Sequence, residues 1–75
     1  MIIDARGHRC PVPTLRLRKA LAAVQDGQTV TLLADDPMAG IDVPHFAAAH
    51  GHSVLLIRQV AETFEISVQK RSGPP

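Results

Sequence analysis

The sequence predicts an α/β fold: a two-layer sandwich of order β-α-β-α-β-β, with a four-stranded mixed sheet and two helices on one face. Three observations lead there. Short β-rich runs alternate with helical stretches up to Gly51, which is the rhythm of βαβ units. Near the end Phe64, Ile66 and Val68 alternate with Glu65, Ser67 and Gln69. That strand has one face for a core and one for water, so helices cover only one side of the sheet. Finally, 75 residues suffice for one small domain with a modest core.

Met1 to about Asp4 reads as a first strand, and Ala5 to Arg9 as a loop in which Gly7 is free to take a positive φ. A helix is predicted from Pro11 to about Val24. Leu17, Leu21 and Val24 lie on one stripe with Ala20 beside them, and Asp26-Gly27 ends the element. Thr29 to Ala34 alternates as a strand, which Asp35-Asp36-Pro37 breaks, with Gly40 keeping the next loop open. A second helix is predicted from about Val43 to His50, with Asp42 as N-cap, Pro44 in the first turn and Gly51 at the end. His52 to Val60 has a strongly apolar centre and reads as the most buried strand. Ala61 to Thr63 is short enough for a hairpin into the last strand. The domain is expected to span residues 1–70, with a flexible tail over 71–75.

Composition excludes several classes. Net charge is +1 and the only aromatics are Phe46 and Phe64, both at core positions. Neither a strong nucleic-acid signature nor a stacking platform for bases is present. Met1-Ile2-Ile3-Asp4 lacks the basic start and apolar run of a signal peptide, and Val54-Leu55-Leu56-Ile57 is far too short to span a membrane. A single cysteine fits a reducing compartment, so a cytoplasmic protein without membrane contact is expected. The charge is unevenly placed. Arg6, Arg9, Arg16, Arg18 and Lys19 precede Ala20, where Asp4 alone opposes them. Such clustering serves either as a solvated helix face or as a basic rim that steers an anionic partner.

That rim surrounds Gly7-His8-Arg9-Cys10-Pro11-Val12-Pro13, which holds the cysteine. A residue before proline is pushed toward extended geometry, and proline itself suits the first helical position. Cys10 is therefore expected as N-cap, with Pro11, Val12 and Pro13 following and the Val12 N–H left to face the sulfur. The helix N-terminus and the nearby Arg6 and Arg9 favour an anion. A free thiol titrates near ~8.5, and sites of this kind bring it to roughly 3.5–7.5. On that reading Cys10 is a nucleophile. The competing one is a small buried hydrophobe, which needs neither the prolines nor the charges.

His8 near Cys10, and His50 and His52 around Gly51, raise the question of a metal. Their spacing is a poor match to a four-ligand zinc site, and there is no Cys-x-x-Cys, so no metal is expected. Asp35-Asp36 reads as a strand-ending turn. No phosphate loop or dinucleotide fingerprint occurs, and no cofactor is expected.

Asp4, Gly7, Cys10, Pro11 and Pro13 form Asp-x-x-Gly-x-x-Cys-Pro-x-Pro. They are followed by Leu15, Leu17, Arg18, Lys19, Gly27, Ala34-Asp35-Asp36-Pro37, Asp42-Val43-Pro44, Phe46, Gly51-His52 and Ile66 to Lys70. In these residues, across nearly the whole chain, the sequence resembles the TusA/SirA-like family of sulfur carriers. The resemblance implies the same β-α-β-α-β-β sandwich. It implies a sulfurtransferase chemistry in which Cys10 accepts sulfane sulfur as a persulfide from a cysteine desulfurase or a rhodanese-like donor and hands it to a downstream acceptor protein. End uses in the family are tRNA thiolation, molybdenum cofactor synthesis and sulfur oxidation. Cys10 carries over as the sulfur-bearing residue, with Arg9, Pro11 and Pro13 as its setting, and Arg6 is expected to bind alongside. Arg6 and His8 stand where apolar residues are expected, and Ala47 where some members have a second cysteine or a bulkier residue. Two other functions compete: a regulatory protein- or RNA-binding module in which Cys10 is not catalytic, and a single-cysteine redox sensor.

Overall fold

A computed structural model describes residues 1–71; residues 72–75, the rest of the expected tail, lie outside the described residues. The elements are β1 (Ile2–Asp4), α1 (Val12–Ala23), β2 (Thr29–Ala34), α2 (Ala39–Ala49), β3 (Ser53–Val60) and β4 (Thr63–Gln69). The order is the expected one. The strands form one mixed sheet in the order β1-β2-β4-β3. β1 lies parallel to β2, and β4 runs antiparallel to both β2 and β3.

One face of the sheet carries the core. Val30, Leu32 and Ala34 of β2 and Ile66 and Val68 of β4 are fully buried against two helical stripes. These are Pro13, Leu17 and Leu21 on α1, and Ala39, Val43 and Ala47 on α2. Both stripes repeat every fourth residue, which keeps one face of each helix on the sheet. The opposite face holds the alternate residues, among them Thr31 and Ser67, whose hydroxyls are 2.9 Å apart.

Three local expectations are corrected. α1 begins one residue later, with Pro11 as its N-cap, so Cys10 sits just outside the helix. α2 begins at Ala39 rather than Val43, and Pro44 falls inside it. Its start is set by Asp36, whose carboxylate accepts from the Met38 N–H at 2.9 Å and whose carbonyl accepts from the Ala39 N–H at 2.9 Å. Burial of Ala39 outweighs the helix-start preference of Pro44. Gly40 is consequently helical and lies under the Phe64 ring, where a Cβ would come within 3.2 Å of Cε1. The third correction is β3, which is an edge strand and not the most buried one. Leu55, Leu56, Ile57 and Val60 are 55, 41, 45 and 61% exposed. An apolar run reads the same for a central and an edge strand. Here the hairpin through Ala61-Glu62 inserts β4 between β2 and β3, and a bulge at Val54/Leu56 shifts the register.

Among the described residues no helix is long and apolar enough to cross a membrane.

Candidate functional site at the start of the first helix

The parallel pairing of β1 with β2 brings the loop after each strand to the same end of the sheet. The chain leaves β1 through Ala5, whose N–H donates to the Leu33 carbonyl at 2.8 Å. Gly7 then takes a φ of +86°, a left-handed angle suited to glycine. This turns its N–H onto both carboxylate oxygens of Asp35, at 3.0 Å each. Two residues past the intervening His8, the Cys10 N–H donates to Asp36 Oδ2 at 2.9 Å. Asp36 thus joins the cysteine to the start of α2. The Asp35-Asp36 pair acts as a turn, as expected from the sequence. It also anchors the cysteine loop, which the sequence reading missed. The two loops enclose an open cleft of about 450 Å³ lined by Gly7, His8, Arg9, Asp35, Asp36 and Pro37.

Cys10 is a half-buried free thiol that packs against the edge of the core. Its expected donor is absent, because the Val12 N–H is spent on the Arg9 carbonyl at 3.0 Å. The expected cations are also engaged elsewhere. Arg6 grips Asp4 with two bonds of 2.9 and 2.7 Å and draws that carboxyl down to about 2. Arg16 donates to the Asp4 carbonyl at 2.8 Å. Arg9 is exposed, and its charge helps, behind two backbone hydrogen bonds, to keep Asp36 ionised. The thiol is therefore not activated in the free chain. Burial pushes its pKa up first, then the negative charge of Asp36, then the Asp42 carboxylate, which takes the S–H hydrogen bond. The Thr14 hydroxyl acts the other way. Asp42 had been expected only as a helix cap. Its position in the first turn of α2, facing the start of α1, was hidden by the misplaced helix start.

A test follows from these signs. Removing the negative charge of Asp42 lowers the Cys10 pKa toward its ordinary value, so more thiolate exists at neutral pH. Asp42→Asn is expected to raise the neutral-pH alkylation rate with iodoacetamide several-fold, while the rate at strongly alkaline pH stays unchanged. Equal rates at neutral pH would remove Asp42 from this account. Asp36 is ionised below the ordinary carboxylate range in the fold. Its contribution to stability is in place above that range and is lost as pH falls through the lowered value.

The histidines divide. His8 is exposed in the cleft wall. His50 and His52 lie far along the chain beside Phe46, with Phe46–His50 centroids 4.7 Å apart and His50–His52 centroids 6.5 Å apart. His52 Nδ1 accepts from the Arg71 N–H at 3.1 Å, a turn-and-packing role. Among the described residues no group of three or more His, Cys, Asp and Glu is arranged to hold a metal.

A family model described as sulfurtransferase TusA matches residues 1–70. Among solved structures, a SirA-like protein from Desulfitobacterium hafniense superposes with a TM-score of 0.81 and is 31% identical. The match covers 92% of this chain and 96% of that one.

Proposed function

Because this chain belongs to the TusA sulfurtransferase family, we propose that it is a sulfur-relay carrier that takes up sulfane sulfur as a persulfide on Cys10 and passes it to an acceptor protein. The observation that carries the reading is the placement of the chain's one cysteine. It is half-exposed, its backbone N–H is held by Asp36, and it is followed by Pro11 and Pro13 at its exit into α1.

The chemistry balances without an outside oxidant. The Cys10 sulfur attacks the outer sulfur of a donor persulfide, R–S–SH. A Cys10 S–S bond forms as the donor S–S bond breaks, and the donor leaves as R–SH with the proton that Cys10 gave up. The reverse set of bonds, with a new acceptor, unloads the carrier. Attack requires the thiolate, and in the free chain burial, then Asp36 and Asp42, favour the protonated sulfur. A donor that brings positive charge or a base close to Cys10 favours loading. Val12 and Leu15 of α1, Met38 at the N-cap of α2 and Ile41 within it are exposed apolar residues at the same end of the two helices. They suit a protein partner docking over the sulfur. Arg9, Pro11 and Pro13 set the entry, and Arg6, fastened to Asp4, contributes a rigid rather than a reaching side chain. The donor is a cysteine desulfurase or rhodanese-like protein, the acceptor belongs to a route such as tRNA thiolation, and the setting is the cytoplasm.

The test is intact mass after incubation with a cysteine desulfurase and cysteine, without added reductant. The expected product is the chain plus one sulfur atom, removed by dithiothreitol. No gain with several unrelated sulfane donors would overturn the reading.

A further inference from the structure

One polar atom beside the site has no role in the fold. Thr14 Oγ1 is buried and, among the described residues, makes no hydrogen bond of standard geometry. Buried hydroxyls are nearly always bonded, so such a group calls for an explanation. The usual outlet for a helical threonine is a carbonyl three or four residues back. The Pro11 carbonyl already accepts from the Leu15 N–H at 2.9 Å, and the hydroxyl bonds to neither. Side chains in a helix lean toward its N-terminus. From the first turn of α1, four residues after Cys10, that direction leads toward the sulfur.

The backbone donors of residues 10 to 13 are committed or missing. Pro11 and Pro13 have no N–H, the Val12 N–H serves Arg9, and the Cys10 N–H serves Asp36. A negative sulfur here faces two carboxylates and one hydroxyl that favours it.

We propose that Thr14 is a positioning residue for the sulfur, its hydroxyl donating a hydrogen bond to Cys10 Sγ when it is the attacking thiolate and to the persulfide once it is loaded. The inference rests on the carrier reading for its second half only. In the free chain the hydroxyl makes no hydrogen bond of standard geometry, so it remains available to the sulfur. No covalent bond to Thr14 forms, and its proton stays on oxygen throughout.

The experiment compares wild type, Thr14→Val and Thr14→Ser. Alkylation of Cys10 by iodoacetamide is followed by intact mass across pH. Valine keeps the shape and removes the donor; serine keeps the donor. Hydrogen bonds to charged groups are strong enough that Thr14→Val is expected to slow alkylation at neutral pH about five-fold or more. Its pH profile moves to higher pH, and Thr14→Ser returns to the wild-type profile. Thermal melting of Thr14→Val is expected to be unchanged or higher, since an unsatisfied hydroxyl has gone. If that variant fails to fold, Thr14→Ala takes its place. Superimposable pH profiles for wild type and a folded hydroxyl-free variant would overturn the proposal.

A second arm loads the proteins with inorganic polysulfide and times the loss of the added sulfur. Faster loss from Thr14→Val, restored in Thr14→Ser, supports the persulfide half, and equal lifetimes overturn it. Alkylation needs no sulfur donor. Failure of wild type to load at all therefore sinks the carrier reading and the persulfide half together, while a shifted alkylation profile still upholds the thiolate half.

Discussion

A Cys10→Ser chain is expected to fold normally and to gain no sulfur under conditions in which wild type gains one atom. The serine is nearly isosteric, and the backbone N–H at position 10 still reaches Asp36. The effect is all-or-none, because the chain has no second cysteine to receive the sulfur. The same variant separates the competing functions. A carrier and a redox sensor both lose activity with the sulfur, whereas a protein- or RNA-docking module keeps its binding. Carrier and sensor are then told apart by what wild type bears, a second sulfur or an oxygen. Circular dichroism melting of the variant, matched to wild type, excludes unfolding as the cause. Binding unimpaired in Cys10→Ser, with no loading in wild type, would turn the assignment to the docking module.

The second large effect is on stability. Leu32 is fully buried in β2, with Ile3 of β1 on one side and Ile66 of β4 on the other. Leu32→Ala leaves a cavity that these neighbours can only partly fill, at a cost of about 2–5 kcal/mol. Single domains have roughly 5–15 kcal/mol in all, and one this small sits toward the lower end. Each kcal/mol moves the midpoint of such a domain by about 4–8 °C, so the variant is expected to melt far below wild type or to be unfolded at 37 °C. Ile57→Ala makes the comparison. It also removes a large aliphatic side chain from a strand, yet Ile57 is half-exposed on the edge strand β3. Its loss is expected to cost about 1 kcal/mol or less. Similar losses at the two positions would contradict the strand order described above.

That contrast marks where the sequence was readable. The alternation of β4, the stripe of Leu17 and Leu21, and the stops at Gly27 and Gly51 are local signals, and the structure reproduces them. The rank of a strand within the sheet is not local. Val54 to Ile57 is as apolar as a central strand, and only the return of β4 between β2 and β3 decides that it is an edge. Proline at the start of a helix is a sound local rule, and it failed for Pro44 because Ala39 and Asp36 secured an earlier start. At the site, Cys10 and its prolines were legible as a unit. Its acidity was not: Arg6 is tied to Asp4, Arg9 bears on Asp36, and the groups that act on the sulfur, Asp36 and Asp42, come from beyond β2. Thr14 could have been found, since a hydroxyl four residues past the cysteine, at the head of a helix, is visible in the chain itself.

The long-range origin of those carboxylates has a consequence for quality control. Opening the domain carries Asp36 and Asp42 away from Cys10 and returns the thiol to ordinary acidity and full access. The unfolded chain is then the more reactive form, oxidised or capped by whatever small thiol or peroxide it meets, while the native chain discriminates. Local openings of this kind occur with their own free energies, so every loss of stability is also a loss of selectivity. Indiscriminate thiol modification is therefore expected to rise with the frequency at which the two loops part, on top of the rate set by the native thiol.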